Sequence, residues 1–359
     1  MNYNIRLFLK LDDELKGIWY DFENNSYHVC FNSLAWIENY ILSFKKKESS
    51  PKLRIFIISV QNKPVCILPF EIVKKYGANV LQWACDSKSD FNSPLQKKNF
   101  NFDESSFKKA WNEILKMLPE VDLIYFKKQI NYFEDLNNPF INFLKNSKEG
   151  VVQQILLPSK WDDYTKKTLN KKFHLDLLRT KRLIKKSGKV EFVIAKNNEE
   201  KKNFINVLIA QKKEKLKRMN IDSMNESDLN FYKNFENYEN KQYFTHISAL
   251  KLNGEFIAVH WGIVTKDCYY YLLPSMKENG LKKFSPGKLL LSLLIKWSIS
   301  KKLKIFDFGL GEELYKEKWT NKKTNIYNYI GLNNSKGIFF YLILRVRLIL
   351  KFFKKNKVK

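Results

Sequence analysis

The chain has 359 residues, with 64 Lys and Arg against 37 Asp and Glu for a formal net charge of +27. A hydrophobic content of 44% with only 12 Gly and 9 Pro excludes a disordered, collagen-like or low-complexity chain, and the length allows two domains. Four scattered cysteines (Cys30, Cys66, Cys85 and Cys268) exclude a disulfide scaffold and any local C-x-x-C metal or redox site, and read as reduced core thiols. The basic excess favours an anionic partner, although the joint abundance of Lys, Asn, Ile, Phe and Tyr also fits the codon bias of an A/T-rich genome. The N-terminus meets Asp12 and Asp13 early, and no segment approaches the roughly 18 apolar residues of a membrane span. The expectation is a cytoplasmic protein without a signal peptide.

In chain order, residues 30–41 have helical apolar spacing with Ser33 as N-cap. The β-rich runs 53–60 and 64–73 flank a short polar turn and predict a hairpin, with a further strand at 79–85. A polar loop (86–95) follows, then an amphipathic helix over 105–118 carrying Phe107, Trp111, Ile114, Leu115 and Leu118 on one side, and a strand at 121–128. Residues 1–150 are therefore a mixed α/β unit. A second unit, 151–335, opens with a strand at 151–157. Residues 160–188 form a long basic helical stretch, one helix or two, closed by Gly188. A strand at 190–195 and helices over 199–219 and 226–240 come next. Three strands follow at 243–252, 255–265 and 268–274, the first two joined by an Asn253-Gly254 turn. A helix over 285–303 has Ser285 at its cap and Pro286 at its first position. Strands at 304–311 and 325–332 precede a basic C-terminal helix, 336–359. A meander feeding a crossover helix beside a last strand gives a mixed sheet that opens where strands splay. The first unit repeats this order in degraded form, which predicts two related α/β domains.

Four places can carry chemistry. Around Pro286, free backbone N–H groups of Gly287 and Lys288 at a helix start suit a phosphate, or simply cap an ordinary helix. Asp307, amid Ile305, Phe306 and Phe308, is an acid/base or amine-holding candidate, or a structural residue, in an ion pair or capping the turn at 309–312. Tyr315 can protonate a leaving thiolate and Lys316 can hold an anion, with Trp319 one turn on. The alternative is surface charge beside an aromatic anchor. His260 shares a strand face with the small residues Ala258 and Gly262, which leaves space for a ligand beside a possible general base, or it is a hydrogen-bonded core histidine. His28, His174 and His246 form no constellation by spacing. There is no H-E-x-x-H, G-x-S-x-G or Walker motif, and no metal is expected. Residues 338–359 interleave cations such as Arg345, Arg347 and Lys351 with apolar residues. They fit an anionic membrane surface or a helix packed on its own domain. The basic run 166–189 is likewise a solvated face or an anion-binding wall.

The run Ser285-Pro286-Gly287, Phe306-Asp307-Phe308-Gly309, Tyr315-Lys316 and Trp319 resembles the C-terminal part of the CelD-like acetyltransferases, FemAB-related members of the GNAT superfamily. Upstream, Ala258-Val259-His260-Trp261-Gly262 before Tyr269-Tyr270-Tyr271 is similar to the family's strand pair. Phe31-Asn32-Ser33 with Trp36, Leu68-Pro69-Phe70, and Asp90-Phe91 before Ser93-Pro94-Leu95 resemble its N-terminal half. The resemblance implies tandem GNAT-like domains and transfer of an acyl group, acetyl by preference, from acyl-CoA to an amine or hydroxyl of a sugar or lipid-linked cell-envelope precursor. It implies His260, Asp307 and Tyr315 as catalytic residues, Lys316, Trp319 and Asp90 on the substrate, and Ser285, Gly287 and Lys288 on acetyl-CoA. Ser285-Pro286-Gly287 stands where ordinary GNAT enzymes have a Q/R-x-x-G-x-G/A loop. FemAB-like relatives use aminoacyl-tRNA instead, which is the first alternative. A non-catalytic module at the membrane surface, anchored by 338–359, is the second.

Overall fold

Two-residue turns shape both halves of the chain. Gln61 and Asn62 (φ 49° and 60°) and Asn253 and Gly254 (φ 52° and 84°) are left-handed, the conformation of a tight hairpin turn whose twist matches its strands. The computed structural model describes residues 3–44, 51–75, 77–131, 137–221, 224–235, 243–277, 284–343 and 346. Its first elements are β1 (Tyr3–Phe8), α1 (Asp13–Glu23), β2 (Ser26–Tyr27), α2 (Leu34–Leu42), β3 (Lys52–Val60), β4 (Lys63–Lys75), β5 (Ala78–Trp83), β6 (Leu95–Lys97), α3 (Glu104–Lys116), β7 (Leu123–Ile130) and α4 (Pro139–Phe143). They are followed by β8 (Ser147–Leu156), α5 (Trp161–Lys167), α6 (Lys171–Lys186), β9 (Val190–Ile194), α7 (Asn198–Arg218) and α8 (Glu226–Asn234). The last are β10 (Tyr243–Leu252), β11 (Glu255–Thr265), β12 (Cys268–Met276), α9 (Pro286–Ser300), β13 (Ile305–Leu310), α10 (Leu314–Glu317) and β14 (Lys322–Leu332).

The chain forms two compact units, one of residues 1–41, 46–150 and 325–359, the other of 42–45 and 151–324. In the first, β1, β3, β4 and β5 are antiparallel neighbours. β5 then meets β7 in parallel, and β7 meets β14 antiparallel. The core is aromatic: Phe70 stacks on Phe126 at 4.8 Å, and Trp83, Trp111 and Phe140 close around them. Helix α3 buries Phe107, Trp111 and Ile114 and is capped by Asp103. α2 starts at Ser33, whose Oγ accepts from the Trp36 N–H. β14 and the helical residues 337–343 lie with this first unit, because β14 pairs with β7 and Phe340 and Tyr341 pack on Ala78, Val80 and Leu123. The basic part of the C-terminal helix, Arg345, Arg347 and the stretch 351–359, lies outside the described residues.

In the second unit the strand order is β8, β13, β12, β11, β10, β9, with only β12 and β13 parallel. α9 is the crossover between them. Its Leu290, Leu291, Leu294 and Ile295 share a core with Tyr269, Tyr271, Phe306 and Phe308. The basic stretch is two helices, parted where Asn170 caps α6, and α6 ends at Gly188 in a positive-φ conformation. Each unit therefore repeats one order: a three-strand antiparallel meander, a crossover helix, then a parallel strand. The four cysteines are free and buried. No described helix is long and apolar enough to cross a membrane.

Candidate functional site

The parallel pair β12 and β13 opens partway along its length. Residues Cys268 to Tyr270 pair with Ile305 to Asp307, and the pairing ends there. β13 continues beside β8 as far as Leu310. Just past the last shared pair, β12 carries a bulge: Tyr271 faces Gly262 and Leu273 faces Trp261, so Leu272 is the extra residue. Bulges turn backbone groups out of the ladder. Leu272, Leu273 and Pro274 are half-buried whereas Tyr269 and Tyr270 are buried, and past this point the edge of β12 has no strand partner among the described residues, a gap called the slot below.

Asp307 stands at the parting. Its Oδ1 accepts the Gly309 N–H at 2.6 Å, which curls the backbone into a left-handed Gly309 (φ 66°), and its Oδ2 accepts from Gln154 Nε2 at 2.6 Å. Gln154 is oriented in turn by Thr324, whose hydroxyl donates to Oε1. The register against β8 shifts between Asp307 and Leu310, and the pairing with β12 stops at Asp307. Of the two alternatives open in the sequence, the geometry matches the cap of the following turn.

His260 is fully buried one strand away. The space expected beside it is filled: its ring stacks on Tyr271 at 4.2 Å, and its Nδ1 lies 3.1 Å from the Tyr269 hydroxyl. That hydroxyl is also 2.9 Å from Nδ1 of His246, which spacing alone did not connect to His260. Burial holds His260 well below the usual imidazole range and His246 down to about 3, so both rings are neutral near pH 7. Each has an Nε2 with no hydrogen-bond partner among the described residues. His260 reaches the slot only through Tyr271, not directly.

At the outer end of β13, Tyr315 is 44% exposed. Close packing about its hydroxyl, with a smaller contribution from Glu313, pushes its pKa up to about 12, which keeps it protonated. Burial raises the pKa of the Tyr271 hydroxyl well above the usual phenol value, and the charge that Tyr315 would carry on ionising raises it further. Lys316 is not available to a substrate anion: it is buried and donates to the Leu310 carbonyl at 2.8 Å while pairing with Glu313 at 2.9 Å. Trp319 is not at a binding surface either. It packs edge-on to Phe173 in the core, and its carbonyl accepts from the Tyr164 hydroxyl.

The start of α9 differs from expectation. Ser285 is left-handed (φ 42°) with no side-chain cap, and its carbonyl accepts from the Lys288 N–H at 3.0 Å. Of the two amides expected for a phosphate, that of Lys288 is thus taken, that of Gly287 has no partner among the described residues, and the Lys288 ammonium is paired with Asp176. Among the described residues no group of three His, Cys, Asp or Glu is placed to hold a metal ion.

The first unit has a corresponding parallel pair, and there the chain fills the opening itself. β5 and β7 pair only at Val80/Leu123 and Leu81/Ile124. Beyond that, Asn92 lies against β7 in parallel, its N–H on the Lys128 carbonyl and its own carbonyl on the Ile130 N–H. Asp90, half-buried, belongs to this plugging loop. Sequence reasoning missed the polar network beside it. Glu71, wholly buried, accepts from Gln82 at 2.7 Å and Tyr40 at 3.3 Å, and Asp86 pairs with Lys127 and Lys128. The one available signal was a carboxyl inside the apolar run Phe70-Glu71-Ile72.

The family model for the acetyltransferase (GNAT) domain matches residues 171–317, from α6 to α10, the span that holds the open strand pair. Three solved structures share the fold over almost the whole chain. FemX matches at 9% identity and a TM-score of 0.60, covering 92% of this chain and 98% of its own. L-PGS from Bacillus licheniformis matches at 12% identity and 0.56, covering 95% and 97%. A tandem GNAT protein from the clavulanic acid biosynthesis pathway matches at 8% and 0.50, covering 93% and 99%. At these identities the likeness is one of fold. No curated protein matches the chain. Residues 171–317 thus carry the acetyltransferase (GNAT) domain match that supports an acyltransferase, and the whole chain has the mixed α/β fold seen in the tandem GNAT protein.

Proposed function

We propose that this acyltransferase takes an acyl group, acetyl by preference, from acyl-CoA lying in the slot between β12 and β13, and passes it to an amine or hydroxyl of a sugar or cell-envelope precursor. CelD-like kinship and a cytoplasmic place are part of the same proposal. The observation that carries it is the parting after Tyr270 and Asp307. An extended amide-bearing donor can pair with the strand edge left open there, much as an added β-strand would. Bound there, the donor supplies its acyl group as an activated thioester. The bulge at Leu272 turns backbone groups toward the reacting carbonyl, where an N–H stabilises developing negative charge. Tyr315 gives its proton to the departing sulfur and is reprotonated through solvent with the proton the acceptor loses. Its raised pKa keeps it protonated ahead of the transfer, and its partial exposure suits reprotonation from solvent. Asp307 and His260, the acid/base candidates of the sequence, act in this scheme by position: Asp307 keeps the strands apart, and His260 holds Tyr271 against the slot.

A second reading, a FemAB-like transferase using aminoacyl-tRNA, draws on the α9 start, where one free amide and a paired Lys288 make a poor pyrophosphate cradle. Titration calorimetry with acetyl-CoA, CoA and bulk tRNA separates the two. Micromolar acetyl-CoA binding supports the first, whereas salt-sensitive tRNA binding without CoA binding overturns it. Tyr315→Phe is expected to lower kcat by about 10²-fold with acetyl-CoA binding and melting temperature unchanged. Full turnover in that variant removes Tyr315 from the mechanism.

A further inference from the structure

Helix α6 contains seven Lys or Arg and one acid, Asp176, and that acid is paired with Lys288 of α9. Its inner face is short of apolar cover: only Leu177, Thr180 and Ile184 are buried. By helical period, the residues opposite them are Leu175, Leu178 and Arg182, with Lys171, Arg179 and Lys186 alongside. Leu175 is 54% exposed and Leu178 42%. Two leucines one turn apart thus stand at the centre of the solvent face, inside a ring of cations. A helix that only kept the domain soluble would carry polar residues there. A wall for nucleic-acid phosphates would use the cations and waste the leucines. An anionic lipid surface uses both, apolar tips at the headgroup boundary and cations on phosphates.

We infer that α6 lies along an anionic lipid surface, with Leu175 and Leu178 inserted and the flanking Lys and Arg on lipid phosphates. The helix is joined to the start of α9 by the Lys288–Asp176 pair and to the core of the domain by Phe173 against Trp319. Docking it therefore holds the acyl-transfer unit at the membrane. This is a different surface from residues 338–359, and it does not depend on which donor fills the slot.

The test is sedimentation of the full chain with vesicles of equal parts phosphatidylglycerol and phosphatidylcholine, and with phosphatidylcholine alone. Binding is expected to the first and not the second. Leu175→Ala with Leu178→Ala should weaken it about tenfold or more, from the lost methylene burial. Arg179→Gln with Arg182→Gln should weaken it about 30-fold at low salt, at about 1 kcal/mol per cation. These side chains are on the outer face, so melting temperatures should not move, and turnover on a soluble acceptor should stay at wild-type level. No binding to anionic vesicles overturns the inference. So does binding that ignores the leucine substitutions and is competed away by bulk RNA, which would make α6 a polyanion wall.

Discussion

Replacing Asp307 by Ala and, separately, by Asn tests whether it shapes the slot or handles protons. Ala removes both acceptors at once and leaves the Gly309 N–H and the Gln154 amide buried without partners. At about 1–3 kcal/mol for each orphaned donor, the loss is about 4 kcal/mol. In a domain of this size that lowers the melting temperature by about 8–16 °C. Asn keeps a carbonyl for Gly309 and turns an amide toward Gln154. Gln154 answers by rotating its oxygen inward, while Thr324 changes from donor to acceptor. The expected cost is about 1 kcal/mol. Calorimetric melting and steady-state kinetics with varied donor give the readout. Ala should be unstable with a raised donor KM, and Asn should be near wild type in both. If Asn loses about 10²-fold in kcat with melting temperature and donor KM unchanged, Asp307 is a proton-transfer group and the shaping role is wrong.

Gly262→Ala should destabilise the second unit by about 1–3 kcal/mol or more. An added methyl would collide with the Tyr270 carbonyl oxygen, a backbone atom with no room to yield, and with the His260 ring; an unchanged melting temperature would refute this. Glu23 is buried and accepts the Leu34 N–H, and burial raises its pKa to about 7. The folded state thus keeps a proton that the unfolded chain releases near 4.5, so stability falls as pH rises from about 4.5 to 7 and stays lower above. Glu23→Gln keeps the acceptor oxygen and removes a penalty of about 3 kcal/mol at pH 8. Urea unfolding at pH 5 and pH 8 should show a smaller difference for the variant, and an equal difference would count against the assignment.

Local signals carried most of the elements. The hairpin turns, the Ser33 cap and the amphipathic α3 each have chemistry confined to a few neighbouring residues and fold as that chemistry requires, and α9 forms over the expected span although Ser285 does not cap it with its side chain. The N-terminal pair β1 and α1 drew no reading, because MNYNIRLFLK mixes charge with apolar residues and only the Asp12 cap marks the helix. What joins distant positions was not legible. The pairing of β14 with β7 gives the last strand to the first unit, although its residues follow the second unit without a break. The site divides the same way. Asp307, His260 and Tyr315 stood out as residues, but Gln154, Tyr269 and His246 acquire their roles from contacts across 9 to 153 positions of sequence, which no spacing rule encodes. Lys316 and Trp319, expected on the substrate, are both buried, Lys316 within the four-residue helix α10 and Trp319 just after it.

The Tyr269 hydroxyl has one hydrogen and two imidazoles to satisfy. It can donate to only one Nδ1, so the other Nδ1 must carry a hydrogen of its own and donate back. His246 and His260 are therefore held in opposite tautomers, one with its hydrogen on Nδ1 and the other with it on Nε2. Interchanging them requires concerted movement of both shared hydrogens and a matching change at the two outer nitrogens. Protonating the ring whose Nδ1 accepts would set a second N–H against the hydroxyl and force its hydrogen to turn elsewhere, and burial opposes a charge on either ring. The trio is a rigid neutral strut across three strands, and the ring it braces is the one beside the slot.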